Sequence, residues 1–235
     1  MGPGVGVPGR SGPGCLVLRA PGLAPGRGGD APGERTLPGG AGPNSLGGWV
    51  VNVLLIRHGA TELNEARRFQ GWSDVPLTTR GLSQVRNLME SLEPVPSASV
   101  IHVSDLRRAR ETADVLFPDR VHRLDERLRE LHFGCFEGLT AEEGQARHPE
   151  AWARWMEDAD RYAPPGGETL AAFRTRIDEW VDEVLPSTPE SLVVVAHGGT
   201  LGYLCQRLEA HALSPLPPLP SPGGAIQLTL HPKAL

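Results

Sequence analysis

The sequence predicts a three-layer α/β/α sandwich on a mainly parallel sheet, with the C-terminal strand at its edge. Three observations carry this. Short apolar runs alternate with segments of helical periodicity across residues 51–230. Two of those runs, 51–56 and 192–196, are apolar almost throughout, as strands buried on both faces are. Both stop in the same way, at Arg57-His58-Gly59 and at His197-Gly198-Gly199. Open parallel sheets bind ligands beyond the carboxyl ends of their strands, so both His-Gly turns fall where a site forms.

The elements follow in chain order. Residues 1–48 stand apart: about half are Gly or Pro, without a collagen repeat. Such a stretch buries too little apolar surface to offset its ordering entropy. It reads as a disordered tail or as a mis-assigned start, and the domain as 49–235. After the first strand, Thr78 or Thr79 caps a helix with Leu82, Val85, Leu88, Met89 and Leu92 on one face. A short strand at 100–103 precedes a helix at 105–116, and 121–124 reads as another strand. Residues 142–158 read as helical with a break at Pro149. Thr169 caps a long helix over 170–185, where Leu170, Phe173, Ile177, Val181 and Val184 recur at helical spacing. The strand at 192–196 leads into a helix over 200–208. A Pro-rich stretch at 214–224 breaks structure, and its 214–222 part reads as a stiff surface loop rather than a partner-binding segment. Alternation of Ile226, Leu228 and Leu230 marks the closing strand.

Composition narrows the function. The 235 residues carry a formal charge of -5, which gives no basic face for nucleic acid. No apolar run reaches the roughly 18 to 20 residues that span a bilayer, and no signal-peptide core is present. Cys15, Cys135 and Cys205 are scattered. They read as reduced thiols of a cytoplasmic protein, not as a disulfide frame or zinc site. No clustered carboxylates suggest a metal, and no cofactor is expected.

Two histidines on matching strand ends, with arginines nearby, suit phosphoryl transfer. That chemistry needs cations on the equatorial oxygens, an in-line nucleophile and a proton for the leaving group. Arg57 and Arg108 fit the first task, since a guanidinium forks onto two oxygens and stays charged. A neutral imidazole fits the second and a carboxylic acid the third. Arg107 and Arg110 read as solvent-facing, and Trp152 and Trp155 as packing residues. Arg67 and Arg68 stay open between surface charge and attraction of an acidic substrate. Glu126, Glu130 and Glu137 all compete for the acid, and periodicity does not choose among them.

Five ordered blocks resemble the histidine phosphatase (phosphoglycerate mutase-like) superfamily. They are Arg57-His58-Gly59-Ala60-Thr61-Glu62 with Asn64, and Phe69-Gln70-Gly71-Trp72-Ser73-Asp74. Ser104-Asp105-Leu106-Arg107-Arg108-Ala109, Leu128-Arg129-Glu130 with Phe133-Gly134, and Ala196-His197-Gly198-Gly199 complete the set. The resemblance implies roles by position. His58 is the nucleophile that forms a phosphohistidine. Arg57, Arg108 and His197 surround the phosphate, with Asn64 beside it or the substrate. Glu130 is the acid. Thr61, Gln70 and Gly71 lie on the substrate side, and His132 is a further contact to watch. Backbone N–H groups of the turn at 198–200 are expected to face the anion.

The resemblance runs to the phosphatase branch. Mutases of the family carry Tyr where Phe133 stands, Lys where Ala141 stands and an Arg pair in the region of Trp155-Met156-Glu157. The expected activity is metal-independent hydrolysis of a small phosphorylated metabolite. Phosphoglycerate mutase is the alternative, and a non-catalytic phospholigand-binding module is the alternative from another class. A homo-oligomer is compatible with the sequence.

Overall fold

A computed structural model of the chain describes residues 50–188 and 190–231. The Gly/Pro-rich stretch at 1–48 lies outside the described residues. Strands β1 (Val51–Arg57), β2 (Val100–Ser104), β3 (His122–Asp125), β4 (Ser191–Ala196) and β5 (Ala225–Leu230) form one sheet. Its order is β3-β2-β4-β1-β5. The first four strands run parallel, and β5 lies antiparallel to β1 at the edge, as expected.

Strand β4 shows why three layers form. Leu192, Val194 and Ala196 point to one core, Val193 and Val195 to the other. On β1, Val51, Val53 and Leu55 join the first core while Ile56 joins the second. The period of two thus makes both faces apolar, and each must be covered by helices. Of helices α1 (Glu62–Glu65), α2 (Thr79–Ser91), α3 (Arg107–Leu116), α4 (Ala141–Arg147), α5 (Pro149–Glu157), α6 (Leu170–Val184) and α7 (Gly198–Leu208), all but α1 and α4 supply buried residues to that cover. Phe173, Ile177, Trp180 and Val181 of α6 and Leu201 and Leu204 of α7 fill the first core. Val85 of α2 and Ala109, Ala113 and Leu116 of α3 fill the second. Truncating a fully buried residue such as Ile177 to alanine costs about 2–5 kcal/mol.

Local signals explain most boundaries. Thr78 and Thr169 accept hydrogen bonds from the N–H groups of Gly81 and Ala172, capping α2 and α6. Pro149 opens α5, where its missing N–H is no loss. Trp152 and Trp155 pack with Phe69, Phe133 and Phe136 in one aromatic cluster. Helix α3 begins at Arg107 rather than Asp105, because the Asp105 carboxylate is engaged by Arg129 instead of a cap. Strand β3 runs one residue later than expected, leaving Val121 exposed. Helix α7 begins at Gly198 rather than Thr200, which makes His197 itself the N-cap. No helix among the described residues is long and apolar enough to cross a membrane.

The sheet sets the site. Residue Arg57 pairs with Ala196 across the parallel β1–β4 ladder, so His58 and His197 leave adjacent strands at the same height. Ser104 ends β2, on the other side of β4, and α3 then brings Arg108 back over the strand ends.

Candidate active site

His58 and His197 converge, with ring centroids 5.1 Å apart and both side chains buried. Arg108, fully buried, lies against both. Its Nε–H is shared between His58 Nε2 at 3.3 Å and His197 Nδ1 at 3.1 Å. Its Nη1 donates to the Ser73 carbonyl at 3.0 Å and its Nη2 to the Gly71 carbonyl at 2.7 Å. The guanidinium is therefore held by the 71–73 backbone on one side and faces the imidazoles on the other.

These bonds assign the tautomers. His58 Nδ1 lies 2.7 Å from the Gly59 carbonyl, which accepts only, so Nδ1 carries the proton and Nε2 keeps its lone pair. His197 Nδ1 accepts from Arg108, so its Nε2 carries the proton and donates to Ser104 Oγ at 2.8 Å. Burial holds the His58 pKa well below its ordinary value. The Arg108 cation adds to this, and the Gly59 hydrogen bond opposes it. Burial, then Arg108 and His58, depress His197 in the same way. Both rings are neutral at neutral pH. Burial also lowers Arg108 to about 10, opposed by Glu130, Glu137 and Asp74, and it remains a cation.

Arg57 ends β1 half-buried. Its Nη1 donates to the Pro220 carbonyl at 3.3 Å, and its buried Nε has no hydrogen-bond partner. The guanidinium lies across the first turn of α7: a Cβ at Gly198 would sit 3.0 Å from Arg57 Cζ, so glycine permits the approach. The Pro-rich loop thus reaches the rim of the site.

The remaining predicted residues fall into two groups. Thr61, fully buried, donates its hydroxyl to Gln70 Oε1 at 2.6 Å and caps α1, where Asn64 closes a capping box with it. That bond orients the Gln70 amide, and its buried Nε2 is without a partner. The Thr61 hydroxyl is thereby engaged within the protein. Gly71 is buried and meets Arg108 through its carbonyl.

Glu130 lies at the opening of α7, where its charge acts on Arg108. Its Oε2 accepts from the Gly199 N–H at 2.8 Å and its Oε1 from its neighbour Leu131 N–H at 2.9 Å. The Gly199 N–H expected to face an anion is thus directed at this carboxylate. Glu137 is engaged elsewhere: it accepts from the N–H groups of Trp72 at 2.8 Å and Ser73 at 2.6 Å, and from the Ser73 hydroxyl. Glu126 is paired at 3.8 Å with Arg129 and is largely exposed. His132 packs edge-on against Trp72 and accepts from the Gly134 N–H. Arg68 is held by Glu143 and the Gly138 carbonyl, whereas Arg67 is exposed; Arg107 and Arg110 face solvent.

Sequence reasoning gave no role to Ser104, Pro220 or Arg176. Ser104 opens the stretch that carries Arg108, so its position at a strand end was the available signal. Arg176 sits on an amphipathic helix, where the pattern of apolar residues carries no signal that singles it out. Among the described residues, no group of three or more His, Cys, Asp or Glu is placed to hold a metal ion.

Known proteins resemble this chain over most of its length. The family model for the histidine phosphatase superfamily, branch 1, matches residues 53–229. Glucosyl-3-phosphoglycerate phosphatase of Mycobacterium tuberculosis is 36% identical over 185 residues, covering 74% of this chain and 82% of that protein. Adenosylcobalamin/alpha-ribazole phosphatase of Salmonella typhimurium is 34% identical, covering 67% and 79%. The crystal structure of a phosphoglycerate mutase from Thermus thermophilus superposes with a TM-score of 0.57 at 34% identity, covering 75% of this chain and 92% of that one. With the matched model spanning every element from β1 to β5, the chain belongs to branch 1 of the histidine phosphatase superfamily.

Proposed function

We propose that this protein hydrolyses a small phosphomonoester through a phosphohistidine on His58. One observation carries the reading: a neutral imidazole presents the Nε2 lone pair beside a buried guanidinium that also touches a second neutral imidazole. That set holds an anion and attacks it. The Nε2 of His58 forms the P–N bond as the ester P–O bond breaks. Glu130 delivers a proton to the leaving oxygen, then takes one from the water that cleaves the P–N bond. Arg57, Arg108 and His197 surround the transferring group, where the two fixed guanidiniums stabilise developing charge. The unpaired buried donors Arg57 Nε and Gln70 Nε2 are groups from which an oxyanion accepts. Asn64 joins them from α1. Thr61 and Gly71 act through Gln70 and Arg108, which they orient.

The names of the relatives support a small phosphorylated metabolite as substrate, and two of the three are phosphatases. The hydrolase reading gains from the packing at two of the positions where mutases carry polar or cationic residues. Phe133 lies 4.9 Å from Phe69 and 6.1 Å from Trp155, so an apolar cluster occupies that region. Water then outcompetes a retained phosphorylated product as acceptor.

A panel of phosphomonoesters assayed with and without EDTA tests this. Steady release of inorganic phosphate, unaffected by the chelator, is the expected result. Interconversion of phosphoglycerates without phosphate release contradicts it.

A further inference from the structure

We infer that Arg176 and Glu168 form a positioning pair that aims the Glu130 carboxyl, an inference that rests on the acid role proposed above. Glu130 stands on a segment with little regular structure. The turn at Glu126–Leu128 precedes it, and no strand or helix hydrogen bond holds its own backbone. Side chains do that instead. From α6, Arg176 Nη1 donates to the carbonyls of Arg127 at 2.7 Å and Arg129 at 2.8 Å, and Nη2 to the carbonyl of Glu130 itself at 2.9 Å.

Glu168 grips the same guanidinium from the other side. Its Oε2 accepts from Arg176 Nε at 3.1 Å and its Oε1 from Nη2 at 2.7 Å. Oε1 also accepts from the His132 N–H at 2.9 Å. The pair therefore holds carbonyls at and before Glu130 and an N–H after it. Both side chains are 15% exposed, so solvent screens them little. Every guanidinium nitrogen is used, in a planar fork that an ammonium does not reproduce. Trp72 Nε1 on the Glu130 carbonyl and Thr200 on the Arg129 carbonyl complete the grip.

The geometry distinguishes aiming from mere stabilisation. A displaced acid fails where the leaving oxygen needs a proton and matters little where it does not. A loosened fold harms every substrate alike. The experiment compares kcat/KM on an alkyl phosphate and on nitrophenyl phosphate for wild type, Glu130→Gln, Arg176→Lys and Glu168→Gln, with thermal unfolding of each.

Glu130→Gln lowers the alkyl value by about a hundredfold or more, and the nitrophenyl value far less. Arg176→Lys lowers the alkyl value by about tenfold or more and the nitrophenyl value by less than about threefold. Combining it with Glu130→Gln widens the difference no further, as expected for residues acting through one group. Equal losses on both substrates for Arg176→Lys, or none, overturn the inference while a skewed Glu130→Gln result keeps the acid role. Equal losses for Glu130→Gln remove the acid role, and the positioning pair falls with it. Should Arg176→Lys fail to fold, Glu168→Gln decides by the same ratio, since it keeps one acceptor oxygen but replaces the acceptor of the Arg176 Nε–H with an amide donor.

Discussion

The two halves of the site are held in place by different means. His58 and His197 stand at the ends of adjacent parallel strands, and ladder register sets their height before any side-chain contact forms. Arg108 then needs only the first turns of α3 and the carbonyls of Gly71 and Ser73. Glu130 lies on an irregular segment and depends on side chains from α6, α7 and the 71–74 loop. The half proposed to make and break the P–N bond is thus built into the sheet. The half proposed to handle the proton is held mainly by side chains, and few backbone bonds resist its drift.

This contrast orders the mutational effects. The largest falls on the sheet-held half. His58→Ala lowers kcat/KM by at least about ten-thousandfold while the circular dichroism spectrum stays native, because removing a nucleophile leaves only binding and electrostatic terms. Activity within a few fold of wild type breaks the assignment.

Arg108→Lys comes next. It keeps the charge but loses the fork that meets both imidazoles and two carbonyls, so kcat/KM falls by about a hundred- to a thousandfold. Inhibition by inorganic phosphate weakens with it. Unchanged phosphate inhibition would place Arg108 outside the anion site.

On the half held by side chains, Gly199→Ala is the sharper probe. The added methyl collides with the Glu130 carboxylate, whose atoms are its three nearest neighbours. Alkyl phosphate turnover falls by about tenfold, with little change on nitrophenyl phosphate. An equal loss on both substrates would show the change reaching beyond the acid.

The smallest effect is on stability and pH. His58 and His197 have depressed pKa values in the folded state, so below the unfolded value of about 6.5 the unfolded chain binds more protons. Stability is full above that pH and declines as pH falls through it, with a limiting slope of about 1.4 kcal/mol per pH unit for each group. Thermal midpoints measured from pH 7.5 to 5.5 (roughly one unit either side of that value) show the decline. It is shallower in His58→Ala, whereas an identical slope in both proteins would contradict neutral burial of this ring.

The same contrast explains what was legible in the sequence. Apolar strands ending in His-Gly announce themselves by periodicity, and alternating faces on β4 follow from a period of two. The layers, the edge strand and the convergence of His58 with His197 were therefore readable. The choice of Glu130 over Glu126 and Glu137 was not readable from pattern, since all three lie near irregular backbone. Only the resemblance to a family selected it, and the structure shows Glu137 committed to the Trp72 and Ser73 N–H groups. Arg176 was invisible for a related reason: besides Glu168, its partners are backbone carbonyls 46 to 49 positions away, and a carbonyl has no sequence signature. Thr61 shows the converse limit, since its place in a motif suggested a substrate contact but not that Gln70 takes its hydroxyl hydrogen bond.

The decisive measurement is to trap the phosphoenzyme. Wild-type protein quenched during turnover should carry one acid-labile, base-stable phosphoryl group, located on His58 by peptide mass spectrometry. A phosphoryl group on any other residue, or turnover of a phosphomonoester with no such intermediate under rapid quench, would contradict the account.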